Sequence, residues 1–191
     1  MADPSDLAKA RRIDDGYPIV VRLEGRPVLV VGGGVIALRK TEGLLASGAT
    51  VRVVSPEFVE GFDSLAVEQV HRRYEPADLD GAWLVVAATN DKVVQQQIFD
   101  ECEARGVFCN AVDDPDRCSF ILPAIERRGP VIMAVSTQGR SPTLAKYLKQ
   151  HLAAAMPDNL EELAERLAAE RKASQERGES TEDREWPKPL A

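Results

Sequence analysis

A chain of 191 residues with 44% hydrophobic side chains can bury one substantial core, or one core and a smaller appendage. Its net charge of −7 argues against general nucleic-acid binding, and no apolar run approaches the roughly 18 residues of a membrane span. Residues 1–15 are polar and charged rather than signal-like, so a cytoplasmic protein without a membrane anchor is expected.

Tyr17 to Leu23 reads as a strand, followed by a turn at Glu24-Gly25-Arg26-Pro27. Val28 to Val31 is apolar throughout, as in a parallel strand covered on both faces. Gly32, Gly34 and Ala37 then follow the G-x-G-x-x-G/A spacing of a dinucleotide-binding turn. Gly32 suits the tight turn, Gly34 lets a pyrophosphate approach the backbone, and Ala37 allows a helix to pack closely on the strand. The anion would sit at the helix amino end, where free N–H groups and the dipole favour it. The helix is predicted over Val35 to Ser47, stopping at Gly48. Thr50 to Val54 is the next strand, and Ser55-Pro56-Glu57 opens a loop. Residues 58–81 are less regular, with a short helix and a strand around Val67 to Tyr74.

Ala82 to Ala88 is another buried strand, and Asn90 or Asp91 caps a helix over Lys92 to Arg105 that ends at Gly106. Val107 to Val112 is a further strand, ending at Asp113-Asp114-Pro115. This alternation predicts an α/β, Rossmann-like, doubly wound parallel sheet over residues 1–115. Ligands of such sheets bind beyond the carboxyl ends of the strands, which nominates the loops at Gly32 to Val35, Ser55 to Glu57 and Thr89 to Asp91. An acidic residue near the end of the second strand commonly holds the ribose hydroxyls, a role open to Glu57, so NAD is favoured over NADP.

The pattern then changes. Ser119 to Ile125 and Val131 to Ser136 look like an antiparallel hairpin joined through Glu126 to Pro130. Ser141-Pro142 starts a helix to about Met156, and a second amphipathic helix spans Leu160 to about Glu176. Residues 116–156 thus form a small hairpin-plus-helix region, and 157–191 a short helical region whose last fifteen residues are polar and loose. A hairpin and two helices have too little core to stand alone. Apolar residues on both hairpin faces predict packing against another subunit, a homodimer.

Asp113 is the candidate for proton chemistry, because it ends a strand at the ligand edge beside Asn110 and Asp114; Asp-Asp-Pro is equally an ordinary turn sequence. Ser136 to Thr143 combines hydroxyls, Gly139, Arg140 and a helix amino end, which suits a carboxylate or simply a capped loop. Arg117, Arg127, Arg128, Lys146 and Lys149 form either a basic face for a polyacidic ligand or a solvated surface. Cys102, Cys109 and Cys118 lack zinc or disulfide spacing, and His71 and His151 lack partners for a metal, so no metal site is expected.

Four ordered blocks over Tyr17 to Leu152 carry a family resemblance: GGGVIALRK, AATND, FCNAVDDPDRCSFILPAI and AVSTQGRSPTLAKYLK. The chain resembles the precorrin-2 dehydrogenases, the N-terminal module of siroheme synthases. The resemblance implies NAD-dependent oxidation of precorrin-2 to sirohydrochlorin by an intertwined homodimer, with the family's essential aspartate on Asp113. It places NAD on Val35, Ile36, Pro56 and Glu57, beside Gly32 and Gly34 of the glycine turn and Thr89 and Asn90 of the loop at the same strand edge. It places the tetrapyrrole against Asn110, Ser136, Thr137, Gly139 and Ser141, between the nucleotide edge and the loop of residues 136–143. Some relatives carry a phosphorylated serine where this chain has Thr137. The chain ends soon after Trp186, so an upstream methylation activity is not expected. A dehydrogenase that also inserts iron or cobalt is the alternative within this class. An NAD-sensing regulatory module, which needs no catalytic carboxylate, is the alternative outside it.

Overall fold

The computed structural model describes residues 16–180; the readings of residues 1–15 and of the tail from 181 onward lie outside the described residues. The chain divides into two compact units, Met1–Leu122 and Pro123–Ala191. No helix among the described residues is long and apolar enough to cross a membrane.

The first unit holds β1 (Pro27–Val31), α1 (Val35–Leu45), β2 (Thr50–Val54), β3 (Glu68–Val70), β4 (Leu84–Ala87), α2 (Lys92–Arg105) and β5 (Phe108–Ala111). The strands form a parallel sheet in the order β3-β2-β1-β4-β5. Their apolar runs are explained by coverage on both faces. Val28, Val30, Val51, Val53, Leu84 and Val86 share one core with Ala37 of α1 and with Phe62. Leu29, Val31, Val54, Val85, Ala87, Cys109 and Ala111 share the other with Ile98 and Cys102 of α2. Each fully buried Val or Leu contributes about 1.5–3 kcal/mol of transfer free energy. The register places Val31 beside both Val54 and Ala87, and Ala87 beside Ala111. Four strands therefore end along one line, and the loops after them open on a common edge.

Local signals set the helix limits. The Asp91 carboxylate accepts the N–H groups of Val93 and Val94 at 2.9 and 3.2 Å, capping α2. Gly106 ends it in the left-handed conformation, φ 67°.

Residues 17–23 are not a strand. The turn at Leu23 to Arg26 feeds directly into β1, whose two sides are already taken by β2 and β4. Leu23 and Val21 anchor the segment on the core, while Tyr17 and Val20 are 87% and 77% exposed. The irregular region after β2 resolves into a 3-10 turn at Glu60–Ser64, the three-residue β3 and a second 3-10 turn at Pro76–Leu79.

The second unit holds the antiparallel pair β6 (Ala124–Arg128) and β7 (Val131–Val135), then α3 (Pro142–Ala154) and α4 (Leu160–Glu176). The hairpin starts later than its sequence predicts. Glu126 to Arg128 belong to β6, opposite Met133, Ile132 and Val131, and the turn is only Gly129-Pro130. Residues 118–119 instead return to β5: the Ser119 N–H donates to Cys109 O at 2.8 Å, and Asn110 bridges Cys118 in antiparallel fashion. Ser141 caps α3 by accepting the Leu144 N–H at 3.2 Å.

The basic face is largely committed to structure. Arg128 donates to Ala153 O at 2.9 Å and Met156 O at 3.2 Å, satisfying carbonyls at the carboxyl end of α3. Lys149 pairs with Glu126 at 3.0 Å. Arg117 pairs with Asp114 and Gln96.

Candidate nucleotide and proton-transfer site

The common strand edge is built around the glycine turn after β1. Gly32 has φ 123°, and a Cβ there would lie 2.5 Å from Ala88 O. A Cβ on Gly33 would lie 2.0 Å from Glu57 O, because the loop after β2 packs directly on it. That loop is folded back by Ser55, whose hydroxyl donates to Glu57 O at 2.8 Å. The Val59 N–H closes the contact on Gly33 O at 2.9 Å. Only glycine permits this approach of three loops.

Gly34 differs. It is the N-cap of α1, no side chain caps the helix, and a Cβ there would meet nothing within 4 Å. The first intrahelical bond runs from the Leu38 N–H to Gly34 O at 2.9 Å. The N–H groups of Val35, Ile36 and Ala37 thus have no intrahelical acceptor. This cradle fits a dinucleotide's pyrophosphate. Val35 is 61% exposed at its rim, an unusual place for a large apolar side chain, whereas Ala37 is fully buried against the sheet. Pro56 and Glu57 are exposed after β2, and Asn90 is exposed after β4. The Thr89 hydroxyl accepts the Asp91 N–H at 3.2 Å.

Asp113 follows β5 on the same edge. It is exposed, and its φ of 58° is left-handed, as otherwise only Gln138 among the described non-glycine residues. A non-glycine residue held there costs about 1–3 kcal/mol, so its surroundings must enforce it. They do so on its carboxyl side. The Asp114 N–H bonds to Ala111 O at 3.3 Å, and the Asp114 carboxylate is held by Lys92 at 3.3 Å and by Arg117. The Cys118 thiol donates to Ala111 O and Asp114 O, both at 3.2 Å. Burial and the neighbouring Arg39 pull the half-buried Lys40 ammonium below its usual range, and Asp113 and Cys118 pull it back. Burial pushes the Cys118 thiol up, outweighing its bond to Ala111 O. Asn110 is buried, with its amide donating to Phe120 O at 3.0 Å and toward Cys118 Sγ at 3.4 Å. It ties β5 to the segment at residues 118–120 that follows the Asp113 turn.

The loop before α3, in the second unit, is closed on itself. The Thr137 hydroxyl accepts the Ser141 N–H and donates to Ser141 O, both at 3.0 Å. Ser136 Oγ accepts the Gln138 N–H at 3.0 Å, and Gln138 and Gly139 both have positive φ, 54° and 80°. Ser136, Gly139 and Arg140 are exposed at its tip.

One buried residue of the first unit escaped the sequence reading. Gln95 is 1% exposed, and its amide reaches Thr89 O at 2.7 Å and Val112 O at 3.3 Å. The signal was present: residues 95, 98 and 102 lie on one helical face, and Ile98 and Cys102 are apolar there while Gln95 is not. No group of three or more His, Cys, Asp or Glu among the described residues could hold a metal.

Comparison with known proteins agrees with this geometry. Residues 19–124 match the family model described as "Putative NAD(P)-binding". The chain is 45% identical over 153 residues to siroheme synthase 2 of Aeromonas hydrophila, covering 79% of this chain and 33% of that protein. It is 41% identical over 154 residues to the siroheme synthase of Photorhabdus laumondii, covering 78% and 33%. The chain thus spans about a third of the length of these curated relatives. Among solved structures it resembles SirC, a precorrin-2 dehydrogenase, with a TM-score of 0.67, 28% identity, and 78% and 76% of the two chains covered. With the matched model spanning its whole parallel sheet and the glycine cradle built as that function requires, the chain belongs to this NAD(P)-binding family.

Proposed function

We propose that this protein oxidises precorrin-2 to sirohydrochlorin with NAD, and that Asp113 is its proton acceptor. The observation that carries the reading is the sharing of one sheet edge by the open cradle at Gly34 and by Asp113 in a strained, left-handed conformation. Backbone strain of this kind clusters at functional sites, which supports a chemical role for Asp113. The relatives' names supply the substrate: siroheme synthases over most of this chain, and a precorrin-2 dehydrogenase of the same fold.

The N–H groups of Val35, Ile36 and Ala37 would hold the pyrophosphate, with Gly32 and Gly34 giving it access. Pro56 and Glu57 would hold the ribose end of the cofactor, where the Glu57 carboxylate would favour NAD over NADP by accepting from ribose hydroxyls and repelling a 2′-phosphate. Thr89 and Asn90 close the cofactor loop after β4. Bound NAD supplies the hydride acceptor. The macrocycle loses a hydride and a proton, and an Asp113 carboxylate oxygen takes the proton, so conjugation extends by one double bond. Within the second unit, Ser136, Thr137, Gly139 and Ser141 offer hydroxyls and a helix amino end suited to a carboxylate.

The second unit serves assembly. Leu144, Leu148 and Leu152 line one stripe of α3 and are exposed, as are Tyr147 and, on the hairpin, Ile125 and Ile132. A homodimer that covers this stripe is part of the same reading, as is a cytoplasmic location.

Purified protein is incubated with anaerobically generated precorrin-2 and NAD, and NADH and macrocycle absorbance are followed together. Joint growth of both signals is the expected result. Tight NAD binding without NADH would instead favour a nucleotide sensor.

A further inference from the structure

We propose that Gln95 is a positioning residue for proton transfer: it fixes the peptide plane from which Asp113 turns and ties that plane to the nucleotide loop. The inference rests on the reading of Asp113 as the proton acceptor.

The Val112 carbonyl and the Asp113 N–H belong to one rigid peptide unit. Val112 itself is tied at both its N–H and its carbonyl. The Val112 N–H donates to Ala87 O at 2.9 Å, continuing the β4–β5 pairing. The Val112 carbonyl accepts from Gln95 Nε2 at 3.3 Å. Rotation to φ 58° begins from this plane, so the direction of the Asp113 carboxylate follows it. The same Nε2 donates to Thr89 O at 2.7 Å, on the loop that closes the cofactor site. Gln95 Oε1 accepts from Lys92 Nζ at 2.9 Å, and that ammonium also reaches Asp114 Oδ2 at 3.3 Å. One buried amide and one lysine thus hold the residues on either side of Asp113 and the loop facing it. A glutamine fully removed from water on the apolar face of α2 has both ends of its amide satisfied by these groups.

The test is a double-mutant cycle between Gln95→Met, which keeps the shape and removes the donors, and Asp113→Ala. In steady-state assays Gln95→Met is expected to lower kcat about tenfold while the KM values for both substrates move less than about twofold. In the Asp113→Ala background the same change is expected to cost nothing further. Lys92→Met, at an exposed position, guards against a folding defect. It is expected to lose about threefold, again only when Asp113 is present. Carbon-13 spectra of the nucleotide-free protein give an independent readout: the Asp113 signals shift and broaden in Gln95→Met while those of β1 and β2 stay in place. An unchanged kcat, or an equal cost in both backgrounds, would overturn the inference and reduce Gln95 to scaffolding. Full turnover by Asp113→Ala alone would instead overturn the role of Asp113, and with it the inference.

Discussion

In the first unit every central strand is covered on both faces, whereas beyond residue 122 the buried apolar side chains among the described residues are Ala145 and Leu163. The difference separates two ways of spending hydrophobic sequence. The sheet unit uses it to hold four loops on one line at fixed spacing. The hairpin unit leaves it outward along α3 and is held instead by polar ties, Arg128 to the end of α3 and Lys149 to Glu126. Rigidity therefore belongs where chemistry is proposed, and unsatisfied surface belongs where assembly is proposed.

The comparison is broken most sharply at Asp113. Asp113→Ala is expected to lower turnover about a thousandfold while NAD affinity, measured by calorimetry, stays within about twofold. Next come the glycines. Gly33→Ala drives a Cβ into Glu57 O and is expected to destabilise the first unit by about 3 kcal/mol in urea unfolding. Gly34→Ala meets no protein atom, and it is expected to cost less than about 1 kcal/mol of stability yet weaken NAD at least about tenfold.

A smaller effect is expected at Asp78, which is bound bidentately by Arg72 at 2.6 and 2.7 Å and by the Glu75 N–H at 2.9 Å. Burial works against this carboxylate, but Arg72 and the Glu75 N–H together hold it below the usual range. Its stabilisation is thus present above the unfolded pKa and lost as pH falls through the folded one. Asp78→Asn is expected to cost about 2 kcal/mol at pH 7, with the gap to the parent closing below about pH 4 in parallel urea titrations. The smallest effect sharpens the other side of the comparison. Leu148→Asp is expected to weaken self-association at least about tenfold in analytical ultracentrifugation, with the thermal unfolding of the sheet unit unmoved.

The sheet unit was legible because its signals are local. Apolar runs, Gly48, Gly106 and the Asp91 cap each act within a few residues, and the limits of α2 follow from them directly. Residues 17–23 misled because a β-like sequence does not reveal whether a partner strand is free. The hairpin limits misled because Glu126 to Arg128 look like a connection, and their charges become comprehensible only once Arg128 is seen on the carbonyls of α3. Within the candidate site, glycine spacing exposed the cradle, but the left-handed turn at Asp113 and the carbonyls held by Gln95 depend on neighbours far along the chain.

The chain's three cysteines, Cys102, Cys109 and Cys118, all lie in the first unit, and the first two are fully buried where α2 packs on the sheet, Cys102 on the helix and Cys109 on β5. A thiol reagent can reach that pair only when α2 lifts from the sheet, so the rate of labelling is a clock for opening of this face. The hairpin unit carries no cysteine to add to the count. Slower labelling in the presence of NAD would give the free energy with which the nucleotide holds the face shut.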